Sequence, residues 1–268
     1  MKQPERTHRV VPAALACLLL ARAVEAQAPT IYQAVLGDPG QRTAEVSTAE
    51  LQAILANKSA VVLDARPHLE FSISHIPGAL NVAAKPGVAP SMYVSDVAEV
   101  GRLLDANKAA PIVLYCNGPF CGKSKRLADE LLAAGYTNVR RYQLGMPVWR
   151  ALGGVSEIED DGLVYVLSND RTAVVIDARD STAFAAGTIP GARNLPRAGV
   201  LEGKDVGEVR RAKDDGRLPM NDHNTRLIVI AATPADARYV AEALAREAFD
   251  NVAYYRGSMA EALAAIGR

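Results

Sequence analysis

No sign of charge dominates this chain: its 268 residues carry 30 Lys and Arg against 30 Asp and Glu. That balance removes the usual electrostatic reason for binding nucleic acid or an anionic membrane surface, and neither is expected as a partner. Cysteine is scarce, three residues in all, and His68 and His223 have no ligand partners at metal-binding spacing. Neither a metal site nor a cofactor is therefore expected. Long apolar runs are missing too. The one candidate, Val10 to Ala21, falls short of the ~20 residues a crossing helix needs. It follows the basic residues Lys2, Arg6 and Arg9 and precedes Val24-Glu-Ala26, a small-x-small cleavage signal. Together these read as a secretory signal peptide over residues 1–26, cut after Ala26. The mature chain is then expected in the periplasm or outside the cell, with no membrane span. Cys17 is a poor lipoprotein cysteine, because Ala14 stands where a large residue is usual. Cleavage leaves Cys116 and Cys121. In an oxidising compartment two thiols so near are a redox pair or a nucleophile with a neighbour.

What is present is a pattern that occurs twice. Val61-Val-Leu-Asp64-Ala-Arg66 returns as Val174-Val-Ile-Asp177-Ala-Arg179, Phe71 as Phe184, and Ile76-Pro-Gly-Ala-Leu-Asn81 as Ile189-Pro-Gly-Ala-Arg-Asn194, all 113 residues later. Asn138-Val139 and Asn251-Val252 keep the same offset. Two copies of one domain follow, residues 27–155 and 156–268. Short buried strands such as Ala60–Asp64 alternate with helical stretches, one of them opened by the capping box Ser47-Thr-Ala-Glu50. The fold class is α/β, each copy a parallel sheet covered by helices.

The copies diverge at one loop. Pro111-Ile-Val-Leu-Tyr115 reads as a strand and Lys125 to Ala134 as a helix, with Cys116-Asn-Gly-Pro-Phe-Cys121-Gly-Lys123 between them. The first N–H groups of a helix have no internal partners, and the helix dipole adds positive potential, so such a loop can hold an anion. A thiol at its centre is expected to ionise more readily than a free one. Cys116 is the candidate nucleophile. The N–H groups of Asn117, Gly118, Phe120, Cys121, Gly122 and Lys123 are the candidate anion cradle, while Pro119 can donate nothing. Lys123, supported by Lys125 or Arg126, is the candidate for attracting an anionic substrate. In the second copy Leu227–Ala232 aligns with Pro111–Cys116 at an offset of 116, which implies a loop three residues shorter, without a thiol. That copy is expected to be catalytically silent. Because Asp64 and Arg66 recur in the silent copy, they are expected to form a structural turn clamp. His75 is expected as a hydrogen-bonded turn residue, and Trp149 as packing near the domain junction.

Asp64-x-Arg66, Glu70-Phe71, His75-Ile-Pro-Gly-Ala79 with Asn81, and a cysteine loop after a core strand resemble the rhodanese sulfurtransferases. Tyr142-x-x-Gly145 with Trp149 and Gly153-Gly154 is similar to that family's closing motif. The resemblance implies two tandem rhodanese-like domains, each a five-stranded parallel sheet flanked by helices. It also implies a persulfide on the loop cysteine, charged by thiosulfate or another small sulfur-containing anion and discharged to cyanide or a thiol. In the family's two-domain members the active loop is usually in the C-terminal domain, whereas this chain has it in the N-terminal one. The loop is also longer than usual and carries Cys121, either a resolving thiol for a disulfide with Cys116 or a small packed residue.

Three alternatives stand beside this reading. Gly118-Pro-Phe-Cys-Gly122-Lys-Ser124 is one residue short of a nucleotide-binding P-loop. A Cys-x5-Arg phosphatase or arsenate reductase would need an arginine where Gly122 stands. Finally, the chain could be an exported thiol-redox or sulfur-binding and interaction protein that uses Cys116 and Cys121 without turnover.

Overall fold

A computed structural model describes residues 30–83 and 96–267. The expected signal peptide with its cut after Ala26, and Cys17, lie outside the described residues, as does much of the Pro86–Lys108 stretch.

The first copy contains β1 (Ala44–Glu45), α1 (Thr48–Asn57), β2 (Val61–Asp64), α2 (His68–Ile73), β3 (Leu80–Asn81), α3 (Asp96–Leu103), β4 (Ile112–Tyr115), α4 (Lys123–Ala133), β5 (Val139–Tyr142) and α5 (Gly145–Ala151). The second contains β6 (Ser156–Ile158), α6 (Asp160–Asn169), β7 (Val174–Asp177), α7 (Ser181–Ala186), β8 (Arg193–Asn194), α8 (Gly207–Asp214), β9 (Leu227–Ala231), α9 (Pro234–Arg246), β10 (Val252–Ser258) and α10 (Met259–Ile266). Each copy forms a five-stranded sheet, in the orders β1-β5-β4-β2-β3 and β6-β10-β9-β7-β8, and every strand pair is parallel. Strand residues alternate between two cores. Val62, Val113 and Tyr115 pack under α1 and α5, whereas Leu63, Ile112, Leu114 and Val139 pack under α3 and α4. Alternation of this kind is what buries both faces of a parallel sheet. The capping box opens α1 as expected: Ser47 accepts from the Glu50 N–H while Glu50 accepts from the Ser47 N–H.

The register corrects one alignment. Val61 pairs with Ile112, and Val174 pairs with Leu227. Because Val61 and Val174 are equivalent, so are Ile112 and Leu227, and Ala231 rather than Ala232 occupies the place of Cys116. The methyl of Ala231 is buried in the second core. Sequence comparison slipped by one residue because both strands are uniform apolar runs, whereas hydrogen bonding admits a single register.

The two copies dock through backbone. His75 and Glu157 exchange N–H···O=C bonds of 3.0 and 2.9 Å, and the Glu159 N–H donates to the Ser72 carbonyl at 2.8 Å. Gly162 of α6 sits so close to the Ser72 backbone on α2 that a Cβ would overlap it. Trp149 is buried at this junction, its Nε1–H donating to the Val155 carbonyl at 3.0 Å.

Candidate functional site

The turn after β2 is a clamp in both copies. Arg66 meets the fully buried Asp64 at 2.5 Å and donates to the Ser74 carbonyl at 2.6 Å. Arg179 does the same with Asp177 at 2.6 Å and the Gly187 carbonyl at 2.6 Å. Asn81 and Asn194 close the two clamps by donating to the carbonyls of the Asp and Arg residues. A motif built identically where no thiol exists holds the fold. His75 is equally structural: its Nδ1 lies 2.9 Å from the Phe71 carbonyl, its ring stacks on Phe71, and Nε2 stands 3.6 Å from Glu157 of the other copy. Thr188, its counterpart, donates to Asp177 instead.

Cys116 follows β4 directly, on the sheet face covered by α4, and is 2% exposed. The loop returns over it. Gly118, at φ +96°, packs under Leu144 and Pro147. Gly145, at φ +63°, lies against Gly118 and the Cys116 carbonyl, leaving no room for a Cβ. The Cys116 carbonyl accepts from the Met146 N–H at 3.1 Å, and the Asn117 side chain donates to Glu70 of α2. The loop is thus held from two sides. No side chain caps α4; its first N–H groups are directed at sulfur instead, Lys123 N–H at Cys121 and Ser124 N–H at Cys116.

The Cys116 thiol lies 3.1 Å from the Cys121 carbonyl, to which it donates, and 3.3 Å from Ser124 Oγ. Burial pushes this thiol up, and its contact with Cys121 adds to the rise, against opposing bonds from Ser124. For Cys121, partial burial is outweighed by the bond from Cys116, by the N–H groups of Asn117 and Lys123, and by the Lys123 ammonium, so this thiol sits below its usual range. The readily ionised Cys116 expected from sequence is therefore not what the closed loop presents. The loop turns a carbonyl toward Cys116, and its donors converge on the more exposed sulfur. Both cysteines are free thiols.

Other expected donors are distributed unevenly. The Cys121 N–H is spent on the Gly118 carbonyl at 3.0 Å, and the Phe120 side chain is fully exposed at the loop tip. Gly122 stands at the N-cap of α4. Lys123 is exposed on the first turn, whereas Lys125 pairs with Asp38 at 3.6 Å and Arg126 with Asp96 at 2.8 Å. Sequence reasoning missed two residues. One is Ser124, whose hydroxyl touches the thiol. The other is Arg141 on β5, 4% exposed, whose Nη2 lies 3.5 Å from Ser124 Oγ. The signal was a second arginine beside Arg140 in the short strand Val-Arg-Arg-Tyr, at the position where the second copy has Tyr254.

Among the described residues no cluster of three His, Cys, Asp or Glu could hold a metal, and no helix is long and apolar enough to cross a membrane.

A model of the family described as "Rhodanese-like domain" matches residues 47–152 and again 162–265. Among curated proteins, the chain is 27% identical to "Putative thiosulfate sulfurtransferase SseB" of Mycobacterium tuberculosis, over 75% of this chain and 87% of that one. It is 30% identical to "Adenylyltransferase and sulfurtransferase UBA4" of Candida albicans, over 42% of this chain and 24% of that one. It is also 30% identical to "HTH-type transcriptional regulator Rv0324" of Mycobacterium tuberculosis, over 44% and 46%. The chain thus spans less than half the length of the latter two. Two matched segments, two five-stranded parallel sheets and the repeated clamp agree: the chain belongs to the rhodanese-like family and carries two tandem copies of its domain.

Proposed function

We propose that the protein is a sulfurtransferase that carries a sulfane sulfur on Cys116, in its first domain, while the second domain serves as scaffold. One observation carries this reading: a thiol follows the central strand and meets Ser124 in the first turn of α4, at a position the second copy fills with Ala231. The Cys116 thiolate attacks the outer sulfur of thiosulfate or a related donor, the S–S bond of the donor breaks, and sulfite leaves with the electron pair. The terminal sulfur of the persulfide then carries the negative charge beside the N–H donors at the start of α4, which need no reorganisation to stabilise it. Attack by cyanide or a thiolate on that terminal sulfur returns the Cys116 thiolate. Lys123, exposed at the mouth, supplies attraction for the anionic donor. With the signal peptide expected over residues 1–26, this chemistry belongs in the periplasm or outside the cell.

A second reading is favoured by the contact between the two cysteines. Here Cys121 attacks the Cys116 sulfur of the persulfide, forming a disulfide and releasing hydrosulfide, so that the site works as a thiol-redox or sulfur-relay device. Intact-mass measurement after thiosulfate treatment separates the two. One added sulfur that requires Cys116 and survives Cys121→Ser supports transfer, whereas loss of two hydrogens requiring both cysteines supports the disulfide. A wild-type mass that never changes overturns both.

A further inference from the structure

Arg141 is a buried cation without a carboxylate. Arg66 and Arg179 are neutralised by Asp64 and Asp177, and Lys213 by Glu247 at 2.8 Å. Among the described residues Arg141 has no carboxylate within ion-pair distance, its Nε is buried without a hydrogen-bond partner, and Nη2 makes only the long 3.5 Å contact to Ser124 Oγ. A buried charge left in this condition is costly unless an anion balances it. The anion is at hand. Cys116 and Arg141 follow Leu114 and Val139 on the same face of adjacent strands, beneath α4, with Ser124 Oγ between them at 3.3 Å from the sulfur. In the second copy cation and thiol are absent together, replaced by Tyr254 and Ala231.

We propose that Arg141 is a positioning residue which, acting through Ser124, supplies the counter-charge that holds the Cys116 sulfur as an anion. The inference rests on reading Cys116 as the sulfur carrier, and it explains how a buried thiol can be ionised. Removing the proton from a buried sulfur costs desolvation; it also gives the unpaired guanidinium its partner. Burial holds Arg141 below the usual guanidinium range, and the largest opposing influence is Cys116, ahead of the carboxylates of Asp38, Asp129 and Glu45. The other titratable groups facing the sulfur are Cys121 and, beside it, Lys123.

The test is the pH dependence of Cys116 alkylation by iodoacetamide, followed by mass spectrometry in a Cys121→Ser background so that only one thiol titrates. Arg141→Met is expected to raise the midpoint by about one pH unit, which is about tenfold in rate below it, and Arg141→Lys to restore most of the shift. Ser124→Ala is expected to move the midpoint in the same direction by less. An unmoved midpoint in folded Arg141→Met protein overturns the proposal. If that variant does not fold, as judged by circular dichroism, an unmoved midpoint in Ser124→Ala overturns it instead. Sulfur loading from thiosulfate, measured on the same samples, keeps the two ideas apart. Loading without a midpoint shift sinks the counter-charge alone, and a shift without loading sinks only the sulfur-carrier reading.

Discussion

The two domains share their sheet order, their Asp-Arg-Asn clamp and the inward alternation of their strands, and they differ at the ends of two strands. At the end of the central strand the first has Cys116 and a loop held down by Gly145; the second has Ala231 and, in place of Gly145, Ser258, which caps α10. On the neighbouring strand Arg141 becomes Tyr254, whose hydroxyl donates to Glu157 at 2.9 Å and braces the domain junction. His75 docks the first copy onto the second, while Thr188 turns inward. The frame is fixed by register and clamp, neither of which needs the thiol. Cys116 and Arg141 are single side chains at the ends of the strands, so one copy can lack both while the fold is kept.

That contrast can be broken most sharply at the sulfur. Cys116→Ala, which installs the residue of the second copy, is expected to reduce sulfur loading at least ~10³-fold; undiminished uptake in an intact-mass assay would show that the carrier lies elsewhere. Next in size is the clamp. Asp64→Asn leaves Arg66 buried and unpaired and is expected to cost about 3 kcal/mol in urea unfolding. Asp177→Asn should cost less, because Arg179 keeps more contact with water, 16% against 5% side-chain exposure. Equal losses would mean that the two copies lean on their clamps alike. Gly145→Ala is expected to cost about 2 kcal/mol through overlap with Gly118 and positive φ, whereas Ser258→Ala, losing only a cap, should cost about 1 kcal/mol. Limiting iodoacetamide at neutral pH should label Cys121 roughly tenfold faster than Cys116, since donors converge on the exposed sulfur. A peptide map showing Cys116 labelled first would mean that the loop opens readily.

The smallest effect lies at the junction. Partial burial works to raise the Glu157 carboxyl, but His75, Tyr254 and Arg256 outweigh it, so the group titrates below the usual range. A carboxyl depressed by folding contributes fully above about pH 4.3, and that contribution is lost as pH falls through its lowered value. Acid unfolding of wild type should therefore steepen in that window, and Glu157→Gln should flatten it by a fraction of a kcal/mol, about 0.5. An identical acid limb in both proteins would remove Glu157 from the junction's energetics.

The repeat, the parallel α/β architecture, the structural character of the clamp and the absence of a thiol from the second copy's loop were legible in the residues. Each rests on local pattern: apolar periodicity, turn chemistry, and motifs repeated 113 residues apart. Register was not legible, because two uniform apolar strands slide past each other without penalty until hydrogen bonds pin them, and so sequence alignment puts Ala232 opposite Cys116, where Ala231 belongs. Ser124 and Arg141 were missed for a related reason. Their roles come from adjacency across strands and under a helix, which spacing along the chain does not encode. The position of Cys116 belongs to the sequence. The carbonyl that lies over it and the cation behind it were decided by the tertiary structure, because packing, and not the order of residues along the chain, sets burial and the direction of a carbonyl.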